Sequence, residues 1–171
     1  EKSKDLVRMA VAKAALLEPL QTQMIGVVQK AMVIGGGLSG MTAAKKIADA
    51  GYEVYLVERE SELGGKARAI HFTLEGDNVQ SHLKQLIEKV EKDPRIHLMT
   101  QTEIESVDGF VGNFKTKVSD GSTQRVLEHG ATIIATGGKE YRGKAYLLGE
   151  DSRVITQEEF EKRLSLSDPR L

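Results

Sequence analysis

The sequence predicts an α/β fold built on a parallel sheet, and three observations carry this. An apolar strand, AMVIG, runs straight into a glycine turn and an amphipathic helix at residues 38–50. A second strand, EVYLVE, follows Gly51, giving the strand–helix–strand order that joins parallel neighbours. Residues 103–135 are then rich in β-branched side chains and read as a small antiparallel meander feeding a last apolar strand, ATIIA.

The elements follow in chain order. KDLVRMAVAKAALLEPL, residues 4–20, reads as a helix in which Leu6, Met9, Ala10, Ala14 and Leu17 share a face. Ser3 or Asp5 would cap it, and Pro19 helps to end it. Its apolar face needs a partner, either its own domain or another domain or subunit. QTQMIGVVQ reads as a linker to the first strand. After the second strand and the loop RESELGGKARAIHFTLEG comes a helix over 77–92 with the stripe Val79, Leu83, Leu86, Ile87 and Val90. Asp77 and Gln80 have the spacing of a capping box at its start. DPR ends that helix, and IHLMT reads as a short third strand. Asp108-Gly109 and Asp120-Gly121 supply the turn signals of the meander. ATIIA reads as a buried strand, and TQEEFEKRL as a final helix opened by a second capping box, Thr156 with Glu159. Two parts are expected: residues 1–29, a helix and linker, and residues 30–171, a nucleotide-binding domain.

The chain has 171 residues, 24 basic and 25 acidic, for a formal charge of −1. No long-range field draws it toward nucleic acid or an acidic membrane. It has no cysteine, which excludes disulfides, thiol catalysis and cysteine-ligated clusters within these residues. No apolar run approaches the roughly 18 residues of a membrane span. The opening EKSKDLVRMA lacks the layout of a signal peptide, so a cytoplasmic setting is expected. The chain starts at Glu1 rather than Met, which suggests a piece of something longer.

VIGGGLSGMTAA places Gly35, Gly37 and Gly40 as G-x-G-x-x-G where a strand becomes a helix. Gly35 permits the tight turn, Gly37 lets the backbone approach a pyrophosphate, and Gly40 lets helix and strand pack closely. The pyrophosphate would rest on the helix N-terminus formed by Leu38, Ser39 and Gly40. Glu58 ends the second strand, where a carboxylate can accept both ribose hydroxyls of an adenosine. It would repel a 2′-phosphate, a point that the adjacent Arg59 weakens. Such a site serves NAD and FAD alike.

Two further stretches favour FAD. Gly64-Gly65 follows the ribose-binding acid, where a longer cofactor needs a backbone free of side chains, and Lys66 comes next. Lys66 and Arg68 can face phosphates or a flavin edge, although a solvated loop explains them more simply. The strand Ile133-Ile134-Ala135 ends in Thr136-Gly137-Gly138, letting a cofactor approach its carboxyl end. The order of fingerprint, acid, Gly-Gly, meander and ATG resembles the two-dinucleotide flavoproteins of the glutathione reductase type, whose first Rossmann-like unit holds FAD. KDLVRMAVAKAALLEPL, GYEVYLVERE, GFVGNFKTKV and RVITQEEFEKRL together resemble the flavin-binding A subunit of heterodisulfide reductase, across nearly the whole chain.

The resemblance implies an FAD domain in a cytoplasmic, multi-subunit electron-transfer complex whose iron–sulfur clusters lie outside this chain. It implies FAD contacts at Gly35, Gly37, Leu38, Ser39, Gly40, Glu58, Arg59, Gly64, Gly65, Lys66, Thr136 and Gly137, no catalytic side chain and no metal ligand. Partners would be the other subunits, without nucleic acid or membrane insertion; a homodimer is also compatible. There are two departures. Typical members carry cysteines in the region corresponding to KARAIHFTLEGDNVQ, and the closing Gly-Asp motif of such FAD domains is absent. The first points to the related subunits of sulfur-metabolising bacteria as readily as to the methanogen enzyme. The second implies the first part of an FAD domain, inactive by itself. His71, His82, His97 and His129 show no ligand spacing. An NAD-binding domain, or an assembly module docking through residues 4–20, are the alternatives.

Overall fold

The computed structural model describes residues 1–18, 24–143 and 145–167. Its strands are β1 (Lys30–Ile34), β2 (Glu53–Val57), β3 (Ile96–Met99), β4 (Glu103–Phe110), β5 (Asn113–Ser119), β6 (Gln124–His129) and β7 (Ala131–Ile134). Its α-helices are α1 (Lys2–Ala15), α2 (Leu38–Asp49), α3 (Val79–Glu91) and α4 (Gln157–Ser165). Strands β3-β2-β1-β7 form a parallel sheet in that order, and β4-β5-β6 an antiparallel one. The expected α/β architecture, with meander and N-terminal helix, is therefore present.

Side chains alternate along each strand, so the parallel sheet has two apolar faces to cover. Val33, Val54 and Leu56 pack on the helical side with Met41, Ala44 and Ala48 of α2 and Leu83 and Val90 of α3. Met32 and Val57 point the other way, against Val118 and Leu127 of the meander. Each fully buried aliphatic side chain contributes about 1.5–3 kcal/mol. Gly40, Ala44 and Ala48 repeat every fourth residue and are all buried, so α2 lies close on the sheet.

Several boundaries differ from the sequence reading. α1 starts at Lys2 behind Glu1, which makes no side-chain cap bond; Ser3 and Asp5 lie inside its first turn. Positions 19 and 20 of the expected helix fall outside the described residues. No α1 residue is buried, so packing on its own domain is not found among the described residues. α3 is capped by Asn78, whose side chain accepts the Ser81 amide, and not by Asp77. The β4–β5 reversal is at Val111 and Gly112. Asp108 and Gly109 sit within β4, where Gly109 adopts φ 99° opposite Phe114. Strand β7 is at the sheet edge rather than buried, and Ile134 is 75% exposed. An edge strand has a neighbour on one side only, which apolar composition cannot reveal.

Other expectations hold. Asp120 closes the β5–β6 turn, accepting from the Ser122 hydroxyl and the Ser122 and Thr123 amides. Those bonds, led by the hydroxyl, lower its pKa to about 2. Thr156 and Glu159 form a reciprocal capping box on α4. The segment before β1 is tied to the meander: the Val28 amide donates to Gly112, and the Asn113 side chain to Gly26. Among the described residues no helix is long and apolar enough to cross a membrane.

Candidate functional site

The site forms where β1 and β2 end. Gly35 (φ 108°) turns the chain out of β1, and its amide donates to Val57 at 2.8 Å. A Cβ on Gly35 would lie 2.3 Å from the Ala135 carbonyl oxygen, and one on Gly40 1.8 Å from the Gly35 carbonyl oxygen. Only glycine fits at either position. Gly37 differs: it is the N-cap of α2, and a Cβ there would meet nothing within 4 Å. Gly37 brings no side chain to the first turn, which also holds no acidic residue. The amides of Leu38 and Ser39 therefore lie at a positive helix end with no side-chain cap bond from Gly37, on an exposed stretch.

Glu58 is fixed beside this turn. Its Oε2 accepts the Gly36 amide at 2.5 Å and its Oε1 the Glu60 amide at 2.9 Å. Each oxygen keeps lone pairs for further donors. Sequence reasoning missed Gly36, where a Cβ would lie 2.4 Å from Leu63 Cδ2 and 3.0 Å from Glu58 Oε2. The run of three consecutive glycines was the available signal.

Gly64-Gly65 comes against the same turn. Gly64 donates to the Gly36 carbonyl at 2.8 Å, and a Cβ on Gly65 would lie 3.3 Å from Gly37 Cα. Both glycines have positive φ, 114° and 50°, and open a 3-10 helix, Gly65–Ala69. After β7 the Ala135 amide donates to Ile34, which brings Thr136 Cα within 3.1 Å of the Gly35 Cβ position. The fold thus gathers Gly35, Gly37, Leu38, Ser39, Gly40, Glu58, Gly64, Gly65 and Thr136. Gly137 (φ 66°) follows on an exposed, irregular stretch. Arg59 pairs with Glu60 at the surface, and Lys66 is exposed on the 3-10 helix. Among the described residues no group of three or more His, Cys, Asp or Glu side chains could hold a metal ion.

The glycine turn, the α2 N-terminus and the fixed acid thus lie together at one end of the parallel sheet. The model of the pyridine nucleotide-disulphide oxidoreductase family matches residues 8–111 and 29–164. The chain belongs to this family. Within it, the chain is 46% identical over 119 residues to a protein of Archaeoglobus profundus named as like the A subunit of heterodisulfide reductase. It is 47% identical over 119 residues to the second iron-sulfur A subunit of CoB–CoM heterodisulfide reductase from Methanopyrus kandleri. Each match covers 69% of this chain but only 17% and 18% of those proteins. Among solved structures, L-proline dehydrogenase from P. horikoshii superposes with a TM-score of 0.57 at 21% identity, over 71% of this chain and 25% of that one. That likeness concerns the fold. The expected resemblance to the A subunit of heterodisulfide reductase is thus found.

Proposed function

We propose that the chain is the FAD-binding electron-transfer module of a heterodisulfide-reductase-like oxidoreductase. The observation that carries this is the meeting of Glu58, the Gly35–Gly40 turn and the Gly64-Gly65 pair at one end of the parallel sheet. Relatives named as subunits of heterodisulfide reductase support the assignment. In this reading the α2 N-terminus and the Gly37 backbone hold the pyrophosphate, with Leu38, Ser39 and Gly40 supplying amides. Glu58 accepts the hydroxyls of the adenosine ribose. Gly64, Gly65, Thr136 and Gly137 leave room for the rest of the cofactor, while Arg59 and Lys66 supply positive charge at its margin. The flavin, when bound, supplies the redox chemistry, and the side chains here bind and orient it.

Electron passage to iron–sulfur clusters in other subunits, docking to those subunits and a cytoplasmic setting belong to the same proposal. So does the division into residues 1–29 and 30–171. The unburied apolar side chains of α1, Leu6, Val7 and Met9 among them, favour a docking role for the first part. The test is the absorption spectrum of the full-length protein as purified, which is expected to carry flavin bands released as FAD on denaturation. A flavin-free protein that takes up no added FAD would overturn the proposal.

A further inference from the structure

The Gly64-Gly65 turn needs support, because two consecutive glycines with positive φ give the chain little stiffness of its own. That support comes from α3. Leu83 Cδ2 lies 3.2 Å from the Cβ position of Gly64. One turn earlier on the same helix face, the Gln80 side-chain amide donates to the carbonyls of Ala67 at 2.9 Å, Arg68 at 3.3 Å and Ile70. Ala67 and Arg68 stand in the last turn of the 3-10 helix and Ile70 is its C-cap; the Ala67 carbonyl also accepts the Ile70 amide at 3.3 Å. Arg68 reaches back to the Leu63 carbonyl at 2.8 Å, closing the loop from its other side. Asn78 caps α3, so Gln80 is not used at the helix start and is free for this contact.

We propose that Gln80 is a positioning residue for the cofactor. By clamping the 3-10 helix it holds Gly64-Gly65 against Gly36 and Gly37, and so sets the width of the cradle beyond the adenosine half. The inference rests on the FAD reading above. Gln80 touches neither the Gly35–Gly40 turn nor Glu58 in the bonds that it makes. Its influence should therefore fall on the part of the cofactor past the pyrophosphate.

The test uses the full-length protein stripped of flavin, titrated with FAD and with ADP, which lacks the flavin half. Gln80→Leu is expected to weaken FAD binding about tenfold and ADP binding by less than about twofold. Gln80→Lys, which restores N–H donors, is expected to recover most of the FAD affinity; Gln80→Glu, which has none when ionised, is not. Should Gln80→Leu fail to fold, the Lys and Glu variants carry the comparison. Equal weakening of FAD and ADP, or no change in either, would overturn the role of Gln80. A wild-type protein that binds ADP but not FAD would overturn the FAD reading itself, and this inference with it.

Discussion

The Gly36 amide donates to Glu58 Oε2 at 2.5 Å, joining the turn after β1 to the acid at the end of β2. The bond orients the carboxylate before any ligand arrives, and the middle residue of the run is glycine because a Cβ there would lie 2.4 Å from Leu63 Cδ2 and 3.0 Å from Glu58 Oε2. Replacing Glu58 with Ala leaves the Gly36 and Glu60 amides without their acceptor. The variant is expected to lose about 1–2 kcal/mol of folding stability and about tenfold or more in FAD affinity. Chemical denaturation and FAD titration of the variant check both numbers.

Gly37 and Gly40 make a sharper pair. A methyl on Gly40 collides with the Gly35 carbonyl oxygen, whereas one on Gly37 meets no protein atom. Gly40→Ala is expected to cost about 3 kcal/mol or more. Gly37→Ala, at φ −72° but at an N-cap where glycine is preferred to alanine, is expected to cost no more than about 1 kcal/mol of folding stability and yet to weaken dinucleotide binding. Thermal melts beside binding curves separate the two. A Gly37→Ala protein that binds FAD like the wild type would remove the pyrophosphate from this turn.

The capping of α3 gives a third expectation. Asn78→Ala is expected to cost about 1 kcal/mol, because Asn78 accepts the Ser81 amide. Asp77→Ala is expected to stay within about 0.5 kcal/mol, since the bonds of Asp77 to Thr73 use its backbone. Urea midpoints of the two variants decide it.

Much of this was legible in the sequence, for physical reasons that differ by element. The β1–α2–β2 unit could be read because glycine spacing, helical period and strand composition all point one way. The placement of Glu58 beside the glycine turn followed from its position directly after β2. The Asp108-Gly109 pair misled because a dipeptide signal does not know the register: β4 runs on to Phe110, and the reversal uses Gly112. The exposure of β7 depends on what lies beyond it in the sheet, which no local pattern encodes. Gln80 had the spacing of a cap partner but serves a loop ten and more residues back in the chain.

His129 could not be singled out from sequence, where it stands in an ordinary strand. It is fully buried, with its ring stacked on Phe114 at 5.5 Å between centroids. Its Nδ1 donates to the Ala131 carbonyl at 3.1 Å, with the Thr132 hydroxyl 3.4 Å away. That leaves Nε2 to accept from the Thr116 hydroxyl at 2.8 Å. None of these contacts offers a counter-charge, and burial lowers the imidazole pKa despite the carbonyl bond. The contribution to stability is therefore complete above the ordinary histidine value of about 6.5 and is lost as pH falls below it, where the unfolded chain takes up the proton first. Between pH 7.5 and 5.5 the urea midpoint of the wild type is expected to fall further than that of His129→Gln.

The reading of the site as a whole turns on a cradle shaped for FAD rather than NAD. Competition titration on flavin-stripped, full-length protein, with FAD and NAD each displacing the other, separates the two. FAD is expected to bind more tightly, by about a hundredfold or more if the Gly64-Gly65 turn contributes contacts that NAD cannot use. Tighter binding of NAD would refute the FAD cradle.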